Sequence, residues 1–259
     1  MCRPPDWIAV TAISVRFKKM TNEPSLPVIA KYLASCGVAS RRAAVELVKT
    51  GKVAVNGSVV TDPSLRIEND DKVTVDGKAV VPESIKRYIM LHKPRGYTCS
   101  NADAHAKKLA VDLIGVPERL VSAGRLDKDS EGLIIFSNDG EYINTLGHPS
   151  YNIRKRYHVR LDKELSSSQT AALLRGISDR GETLKPDRIR RIGEKLYEFT
   201  LNEGRNREIR RMAAFCGAEV KRLCRISVGA LLLGDLPCGK WRELTAEEIR
   251  LSLSCEETL

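Results

Sequence analysis

The chain has 259 residues, a formal net charge of +10 and a sequence pI near 9.3. With 42% hydrophobic residues, it is long enough to bury one large core or two smaller ones. The excess of positive charge predicts a polyanionic partner, either a nucleic acid or an anionic membrane surface. No apolar run reaches the roughly 18 residues of a transmembrane helix, so we expect no membrane-spanning segment.

The cysteines and glycines of the sequence indicate neither a metal nor a nucleotide cofactor. The seven cysteines include no C-x-x-C pair, so neither a zinc site nor a disulfide framework is indicated, and a reducing compartment such as the cytoplasm is expected. No Walker loop or glycine-rich dinucleotide fingerprint is present. The cysteines lie at positions 2, 36, 99, 216, 224, 238 and 255.

Residues 1–25 fit neither of the regions that follow, and we expect a disordered extension. Their weakly apolar stretch precedes its positive charges, which is the reverse of a secretory signal peptide. An organellar transit peptide and a true start at Met20 both remain open.

Residues 26–84 have the pattern of a small α/β module. Apolar residues recur at helical spacing up to Gly37, and Ser40 can cap a second helix that ends at Gly51. Asn56-Gly57 and Asp76-Gly77 each lie between valine-rich segments, which predicts two hairpins. Four cations lie on or beside the second helix: Arg41, Arg42, Lys49 and Lys52. Such a cluster is compatible with a solvated helix face or with a grip on phosphates.

Residues 86–253 contain a polar, glycine-bounded segment at 124–132, directly before the apolar run 133–136. This order places Asp127 on a loop that is held by a buried strand, a common position for a catalytic side chain. An earlier strand at 88–92 runs into the turn Lys93-Pro94-Arg95-Gly96. Asp129 and Asp139 are competing carboxylates, which we assign to a turn and a helix cap.

Two basic segments follow in this second region. Tyr157, Val159 and Leu161 alternate with basic residues, which predicts a half-buried strand with a basic outer face. Further on, Asn206 can cap a helix with a buried apolar stripe. Three arginines lie on the other side of that helix, with Arg210 nearest the buried border and Arg211 facing outward; the third is Arg207.

The amino-acid sequences of these segments resemble those of two known families. LASCGVASRRAAVELVKTGKVAVNG resembles the S4 RNA-binding domain. GRLDKDSEGL resembles the active-site motif of the pseudouridine synthases, in particular the RsuA/RluB/RluE/RluF family and most closely its RluB branch. Lys-Pro-x-Gly, Lys-x-Tyr-x-Val and Gly-Arg-x-x-x-Ile-Arg-Arg-Met match further signatures in the same order.

This resemblance implies an α+β protein in which an S4-like module precedes a mixed, mainly antiparallel catalytic sheet with flanking helices. It implies that Asp127 is catalytic, that Arg210 pairs with it and that Tyr157 lies over the target base. Arg125 is expected to hold the flipped RNA, and Arg207 and Arg211 to bind RNA. The isomerisation requires no redox change or energy input, which agrees with the absence of a cofactor motif.

The expected function is therefore the conversion of a specific uridine to pseudouridine in ribosomal RNA, with the large subunit favoured. The base must leave its stack to react, and Asp127 must be ionised, as a nucleophile or as a base at C2′. Arg210 favours the charged form of that carboxylate. The alternatives are a non-catalytic RNA-binding or ribosome-assembly protein on the same fold, and a synthase for small-subunit RNA. A monomer without metal or cofactor is expected, with no membrane partner.

Overall fold

The structure is a computed structural model that describes residues 26–100 and 108–255. The predicted extension at 1–25 lies outside the described residues. The chain divides between Pro82 and Glu83 into two compact units. No helix in the described part of the chain is long and apolar enough to cross a bilayer.

The first unit contains two short helices and a four-stranded antiparallel sheet. Ser40 accepts a hydrogen bond from the backbone N–H of Ala43, which confirms its predicted role as the cap of the second helix. Both predicted hairpins form, with Asn56 and Asp76 in left-handed turns. The elements are α1 (Ile29–Ser35), α2 (Arg41–Lys49), β1 (Val53–Val55), β2 (Ser58–Val60), β3 (Val73–Val75) and β4 (Lys78–Ala79), and the strand order is β2-β1-β3-β4.

The second unit is built on a nine-stranded sheet with the order β11-β12-β8-β13-β7-β5-β15, to which β14 and β6 add at β13 and β7. Its strands are β5 (Tyr88–Lys93), β6 (Val121–Ser122), β7 (Glu131–Ser137), β8 (Lys155–Leu161), β9 (Ile177–Asp179), β10 (Glu182–Leu184), β11 (Arg188–Gly193), β12 (Leu196–Leu201), β13 (Val220–Val228), β14 (Leu231–Leu232) and β15 (Trp241–Glu243). Strands β9 and β10 form a separate hairpin.

Four helices flank this sheet: α3 (Gly140–Gly147), α4 (Ser167–Arg175), α5 (Glu208–Phe215) and α6 (Ala246–Ser252). Asp139 caps α3, as the sequence predicts, and a capping box at Thr245 and Glu248 begins α6. The described strand pairs of the sheet are antiparallel except β7 with β13, which run parallel. The predicted α+β class with a mixed, mainly antiparallel sheet is confirmed.

The sheet separates two hydrophobic clusters because alternate residues of each strand point to opposite faces. The face that carries Tyr157 and Ile134, here called the front face, packs against α4 and α5. The opposite or rear face carries Met90, Leu133 and Ile135, which pack against α3 and α6. Phe136 belongs to the front cluster and Ile135 to the rear one, so β7 is buried on both sides. This two-sided burial explains its uninterrupted apolar sequence.

Candidate active site

Asp127 lies in the loop between β6 and β7, and two contacts fix the end of this loop. At Gly132 the backbone of β7 meets that of β13 so closely that a Cβ atom would lie 2.3 Å from the carbonyl oxygen of Arg225. Gly132 also has a φ of 108°, which a side chain would strain. The backbone N–H of Ser130 bonds to the carbonyl of Asp127, which closes a tight turn around the carboxylate.

Lys93 holds the same loop from inside the sheet. Its side chain is fully buried, and its Nζ donates to the carbonyl oxygens of Ser130 at 2.7 Å and Pro94 at 2.9 Å. Burial lowers the pKa of Lys93, and the nearby Cys99 and Asp127 side chains oppose that shift. Lys93 therefore ties the first strand of the sheet to the loop of Asp127.

Arg210 lies beside Asp127, with 4.0 Å between its Nε and the Oδ2 of the carboxylate. Its guanidinium also donates to the carbonyl oxygens of Val220 at 3.3 Å and Asp129 at 3.2 Å. Burial and the nearby Arg207 cation lower the pKa of Arg210, while Asp127 opposes that shift. Arginine still remains protonated at neutral pH, so a cation is fixed next to the carboxylate.

These groups surround a pocket on the front face of the sheet. Tyr157 is only 7% exposed and lines the pocket from β8, together with Asp127 and the exposed Arg125. The pocket therefore combines a carboxylate, an aromatic ring and cations within an apolar wall. Its lining residues are Arg125, Leu126, Asp127, Ser130, Tyr157, Leu201, Gly204, Arg205, Arg207, Glu208, Ile209 and Leu223.

Glu208 is a further carboxylate of this pocket that sequence reasoning missed. It is 3% exposed, and one oxygen accepts the backbone N–H of Arg205 at 3.0 Å. Its other oxygen, Oε1, is buried without a hydrogen-bond partner among the described residues. Burial raises the pKa of Glu208, partly offset by the bond from Arg205.

The prediction that Arg211 faces outward is wrong, and its predicted RNA binding stays a prediction. Its guanidinium is only 10% exposed and forms ion pairs with Asp179 and Glu182, while it also donates to the carbonyl oxygen of Asp179 at 2.8 Å. Both acids belong to the β9–β10 hairpin, which packs over this side of α5. Arg211 is therefore a structural link between the helix and the hairpin.

The start of α5 also differs from the prediction. Asn206 does not cap the helix; the N-cap position is taken by Arg207, in a left-handed conformation with φ 49° and no side-chain cap bond. The exposed Arg207 lines the pocket, as a substrate-facing cation would. The bond from Arg205 to Glu208 satisfies a backbone donor at this end of the helix instead.

The four cations predicted to bind RNA in the first unit lie on or just after α2. Arg41 and Arg42 occupy the first turn of this helix, and both are exposed. Positive charge is unfavourable at a helix N-terminus, where an anion is favoured, so these two residues fit a phosphate ligand better than a purely structural role. Lys49 pairs with Glu46 at 3.7 Å on the surface, and Lys52 is exposed.

The alternation of β5 in the sequence indicates that Lys93 is buried. Ile89, Leu91 and Lys93 share one face of β5 by alternation, and the first two are buried in the front cluster.

The apolar residues Leu201, Ile209 and Leu223 come from three separate elements, so no local pattern brings them to one pocket. Across residues 26–100 and 108–255, no three His, Cys, Asp or Glu side chains cluster as metal ligands.

Comparison with known proteins agrees with this geometry. Residues 87–215 match the RNA pseudouridylate synthase family, and residues 29–73 match the S4 domain. An RNA pseudouridine synthase of Aquifex aeolicus is 40% identical, over 85% of this chain and 91% of its own length. Ribosomal large subunit pseudouridine synthase B of Bacillus subtilis is 38% identical, over 85% of this chain and 93% of its length.

A solved pseudouridylate synthase has a similar fold along nearly all of its length. It superposes with a TM-score of 0.65 and 29% identity, and the match covers 87% of this chain and 99% of that structure. The matched segments of this chain include both the helix that carries Arg41 and the loop that carries Asp127. The chain therefore belongs to the family of RNA pseudouridine synthases, enzymes that isomerise uridine to pseudouridine in RNA.

Proposed function

We propose that this enzyme converts a uridine of large-subunit ribosomal RNA to pseudouridine. The observation that carries the proposal is the pocket in which Asp127 lies beside the half-buried cation of Arg210 and shares its lining with Tyr157. A similar protein of Bacillus subtilis, 38% identical over 85% of this chain, is named as a large-subunit synthase. An S4 domain precedes the catalytic unit in the sequence. Its presence supports a substrate RNA whose structure extends beyond the target nucleotide.

The reaction breaks the bond between C1′ and N1 of the uridine, turns the uracil and joins C1′ to C5. The proton on C5 leaves, and N1 gains one, so the formula of the nucleotide is unchanged. The uridine first leaves its stack, because its sugar and base are out of reach inside a helix. Tyr157 then offers an aromatic surface for the uracil, and Arg125 and Arg207 offer cations for the flanking phosphates.

Asp127 acts in its ionised form. Arg210 lies 4.0 Å from the carboxylate, and the buried Lys93 holds the loop that carries it. The geometry accommodates both routes, in which the carboxylate attacks the sugar or base, or removes the proton from C2′. Either route requires the carboxylate to keep its position, which the turn to Ser130 and the Lys93 contact provide.

We further propose that the enzyme acts as a monomer on free or partly assembled ribosomal RNA in the cytoplasm. The exposed Cys238 and Cys255 form no disulfide, which supports a reducing compartment. Sedimentation of the purified protein tests the monomer. Fractionation of cells tests the compartment and the association with ribosomal precursors.

The decisive experiment maps pseudouridines in ribosomal RNA from cells with and without the gene. Without the gene, we expect the pseudouridine at a large-subunit position to be lost. The wild-type gene should restore it. A gene with Asp127→Asn, which keeps the side-chain shape but not its charge, should not. The purified Asp127→Asn protein should still bind RNA. A loss confined to small-subunit RNA would contradict the proposed substrate, and full activity of Asp127→Asn would contradict the catalytic assignment.

A further inference from the structure

The connection between α3 and β8 is an exposed turn that carries two aromatic rings. It contains one turn of 3₁₀ helix, Pro149–Tyr151, with His148 before it and Asn152 after it. We call residues 148–152 the aromatic turn. Each of its residues is exposed, and none of them is acidic. The aromatic turn therefore presents its rings to solvent without adding a negative charge of its own.

Two contacts fix the aromatic turn beside the catalytic pocket. Gly147, just before the turn, packs so closely that an added Cβ atom would lie 3.8 Å from the backbone nitrogen of Gly124, which precedes a pocket-lining arginine. At the other end, the side-chain amide of Asn202 donates to Oδ1 of Asn152 at 3.1 Å. Asn202 directly follows a leucine that lines the pocket. The aromatic turn is thus tied to two of the segments that form the pocket.

The ring of Tyr151 is ordered, although the residue is 45% exposed. It meets the ring of His148 edge to face, with 6.3 Å between the ring centroids and 80° between the ring planes. His148 is fixed in turn by Ser150, whose Oγ lies 2.8 Å from the imidazole Nδ1. The thiol of Cys255 also donates to the carbonyl oxygen of Tyr151 at 3.3 Å. A ring that is already held in place loses little conformational entropy when it binds a ligand.

Exposure distinguishes Tyr151 from the other aromatic residues of the catalytic unit. Among the Phe, Tyr and Trp side chains of residues 26–100 and 108–255, those of Tyr151 and Phe215 are exposed. Phe215 ends α5, whereas the residues of α5 that line the pocket lie at its start. In the described part of the chain, Tyr151 is therefore the exposed ring that is tied to the pocket.

A cation stands next to the aromatic turn. Arg125 is exposed on the loop that Gly147 contacts, and it also lines the pocket. An aromatic face combined with a nearby guanidinium is suited to a nucleotide of unpaired RNA, because the base stacks on the ring while the cation attracts the phosphate. The chemistry of this surface therefore matches the substrate that the neighbouring pocket receives.

We propose that Tyr151 is a stacking platform for the nucleobase directly beside the target uridine. When the uridine leaves its stack, its neighbours each lose one stacking partner, and a ring next to the pocket replaces one of these contacts. Tyr157 is buried within the pocket and faces the uracil itself. His148 is a positioning residue that holds the ring of Tyr151. Every base has an aromatic face, so the contact adds affinity without selecting a sequence.

The proposal rests on the isomerisation of uridine in RNA, and the proposed ribosomal target serves only to choose the probe. The probe is a stem-loop around the uridine that the pseudouridine map assigns, with 2-aminopurine as its 5′ or 3′ neighbour. Stacking on an aromatic ring quenches the fluorescence of 2-aminopurine. In complexes with Asp127→Asn, which binds without turnover, we expect the additional change Tyr151→Ala to make the probe brighter at one of the two positions.

Affinity gives a second measurement, with an abasic RNA as the reference. Tyr151→Ala should weaken binding of the stem-loop about 5- to 100-fold, which is the range expected for one base stacked on an aromatic side chain. Tyr151→Phe keeps the ring and should bind like the wild type. When the stacked neighbour is replaced by an abasic residue, wild type and Tyr151→Ala should bind the RNA equally well. A Tyr151 with a merely structural role would weaken both RNAs by the same factor.

Phe215→Ala is the matched control, because it removes an exposed ring from the far end of α5. It should change neither the fluorescence nor the affinity. Unchanged affinity of Tyr151→Ala for the intact stem-loop would overturn the proposal, as would an equal loss with the abasic RNA. A map that assigns the uridine to another RNA would contradict the proposed target, but it would change only the sequence of the probe and leave this comparison in place.

Discussion

Asp127, the proposed catalytic residue, has cations from two elements near it. Arg210 approaches it from α5, and Lys93 holds its loop from β5. At 4.0 Å, Arg210 attracts the carboxylate without a hydrogen bond, so the oxygens remain available to the substrate. The guanidinium is held in place by two backbone carbonyls rather than by the acid itself.

Loss of Arg210 should therefore affect both rate and pH dependence. Arg210→Ala removes the adjacent charge and leaves the ionised form of Asp127 less favoured, so we expect kcat to fall roughly 100-fold. The acid limb of the rate profile should move to higher pH. Arg210→Lys should recover part of the rate, because an ammonium keeps the charge but not the planar fork that reaches both carbonyls. Single-turnover rates across pH measure both effects.

Arg211→Ala is the control for this experiment, because Arg211 pairs with the β9–β10 hairpin instead of Asp127. We expect it to lower the melting temperature and to leave the acid limb of the folded enzyme in place. If Arg211→Ala moved the acid limb and Arg210→Ala did not, the assignment of the two arginines would have to be exchanged.

Glu208 should make the protein less stable at neutral pH than it would be with a neutral side chain. Burial raises the pKa of Glu208 in the folded state above its value in the unfolded chain. The folded protein therefore carries a buried charge above this raised pKa, and it is stabilised as the pH falls through it. Glu208→Gln should raise the free energy of unfolding at pH 7, with the advantage shrinking in acid. Denaturant unfolding at several pH values measures it.

Glu247→Gln is a suitable control for Glu208, since Glu247 is 65% exposed on α6. Its effect on stability should be small and should not follow the same pH dependence. A destabilised Glu208→Gln protein at neutral pH would show that the ionised carboxylate makes a favourable contact that outweighs its burial.

At the scale of elements, the parallel pair β7–β13 positions the active site. Cys224 lies opposite Glu131 and Arg225 opposite Gly132, directly where the catalytic loop enters the sheet. Arg225 also donates to the carbonyl oxygen of Leu133 at 2.6 Å. The loop of Asp127 is therefore fixed by a strand that lies almost one hundred residues further along the chain.

Gly132→Ala should disrupt this junction. The added Cβ would lie 2.3 Å from one backbone atom of Arg225 and 2.6 Å from another, and neither strand can move without breaking the sheet. Because this clash adds to the strained φ, we expect Gly132→Ala to destabilise the folded protein by about 3 kcal/mol and to abolish activity. Gly115→Ala, where a Cβ meets open space, should stay close to wild type in the same thermal unfolding experiment. Wild-type stability of Gly132→Ala would show that the two strands are not so closely apposed.

At the scale of the whole molecule, positive charge is divided between two units. The first unit presents Arg41 and Arg42 at a helix N-terminus, and the second presents Arg125 and Arg207 at the pocket. The positive charge therefore includes two separate groups of cations, for which we predict separate contacts with RNA phosphates. Their contributions to affinity should be separable by salt titration.

Arg41→Ala with Arg42→Ala should weaken RNA binding and lower its salt slope by between about one and two, because two phosphate contacts are lost. The rate at saturating concentrations of a short substrate should persist, since the pocket belongs to the other unit. Lys72→Ala with Lys78→Ala removes the same charge from exposed positions of the first unit. An equal slope change in both pairs would mean that charge alone, and not the helix site, is responsible.

Local patterns in the sequence determined the elements and the candidate catalytic residue. Alternation predicts β8, while caps and turns predict α2, α3 and both hairpins of the first unit. These signals act over a few residues, so they survive without knowledge of the fold. The sequence motifs that contain Asp127, Tyr157 and Arg210 match signatures of one family, and the structure brings all three residues to one place.

Only the tertiary structure decided what each cation does. Arg210 and Arg211 are adjacent in sequence, yet one faces the carboxylate and the other an acidic hairpin 32 residues before it. Arg156 and Tyr157 are also adjacent, yet they belong to opposite faces of the sheet. The physical reason is that a side chain's role depends on the partners packed around it, and those come from strands and helices distant in the chain.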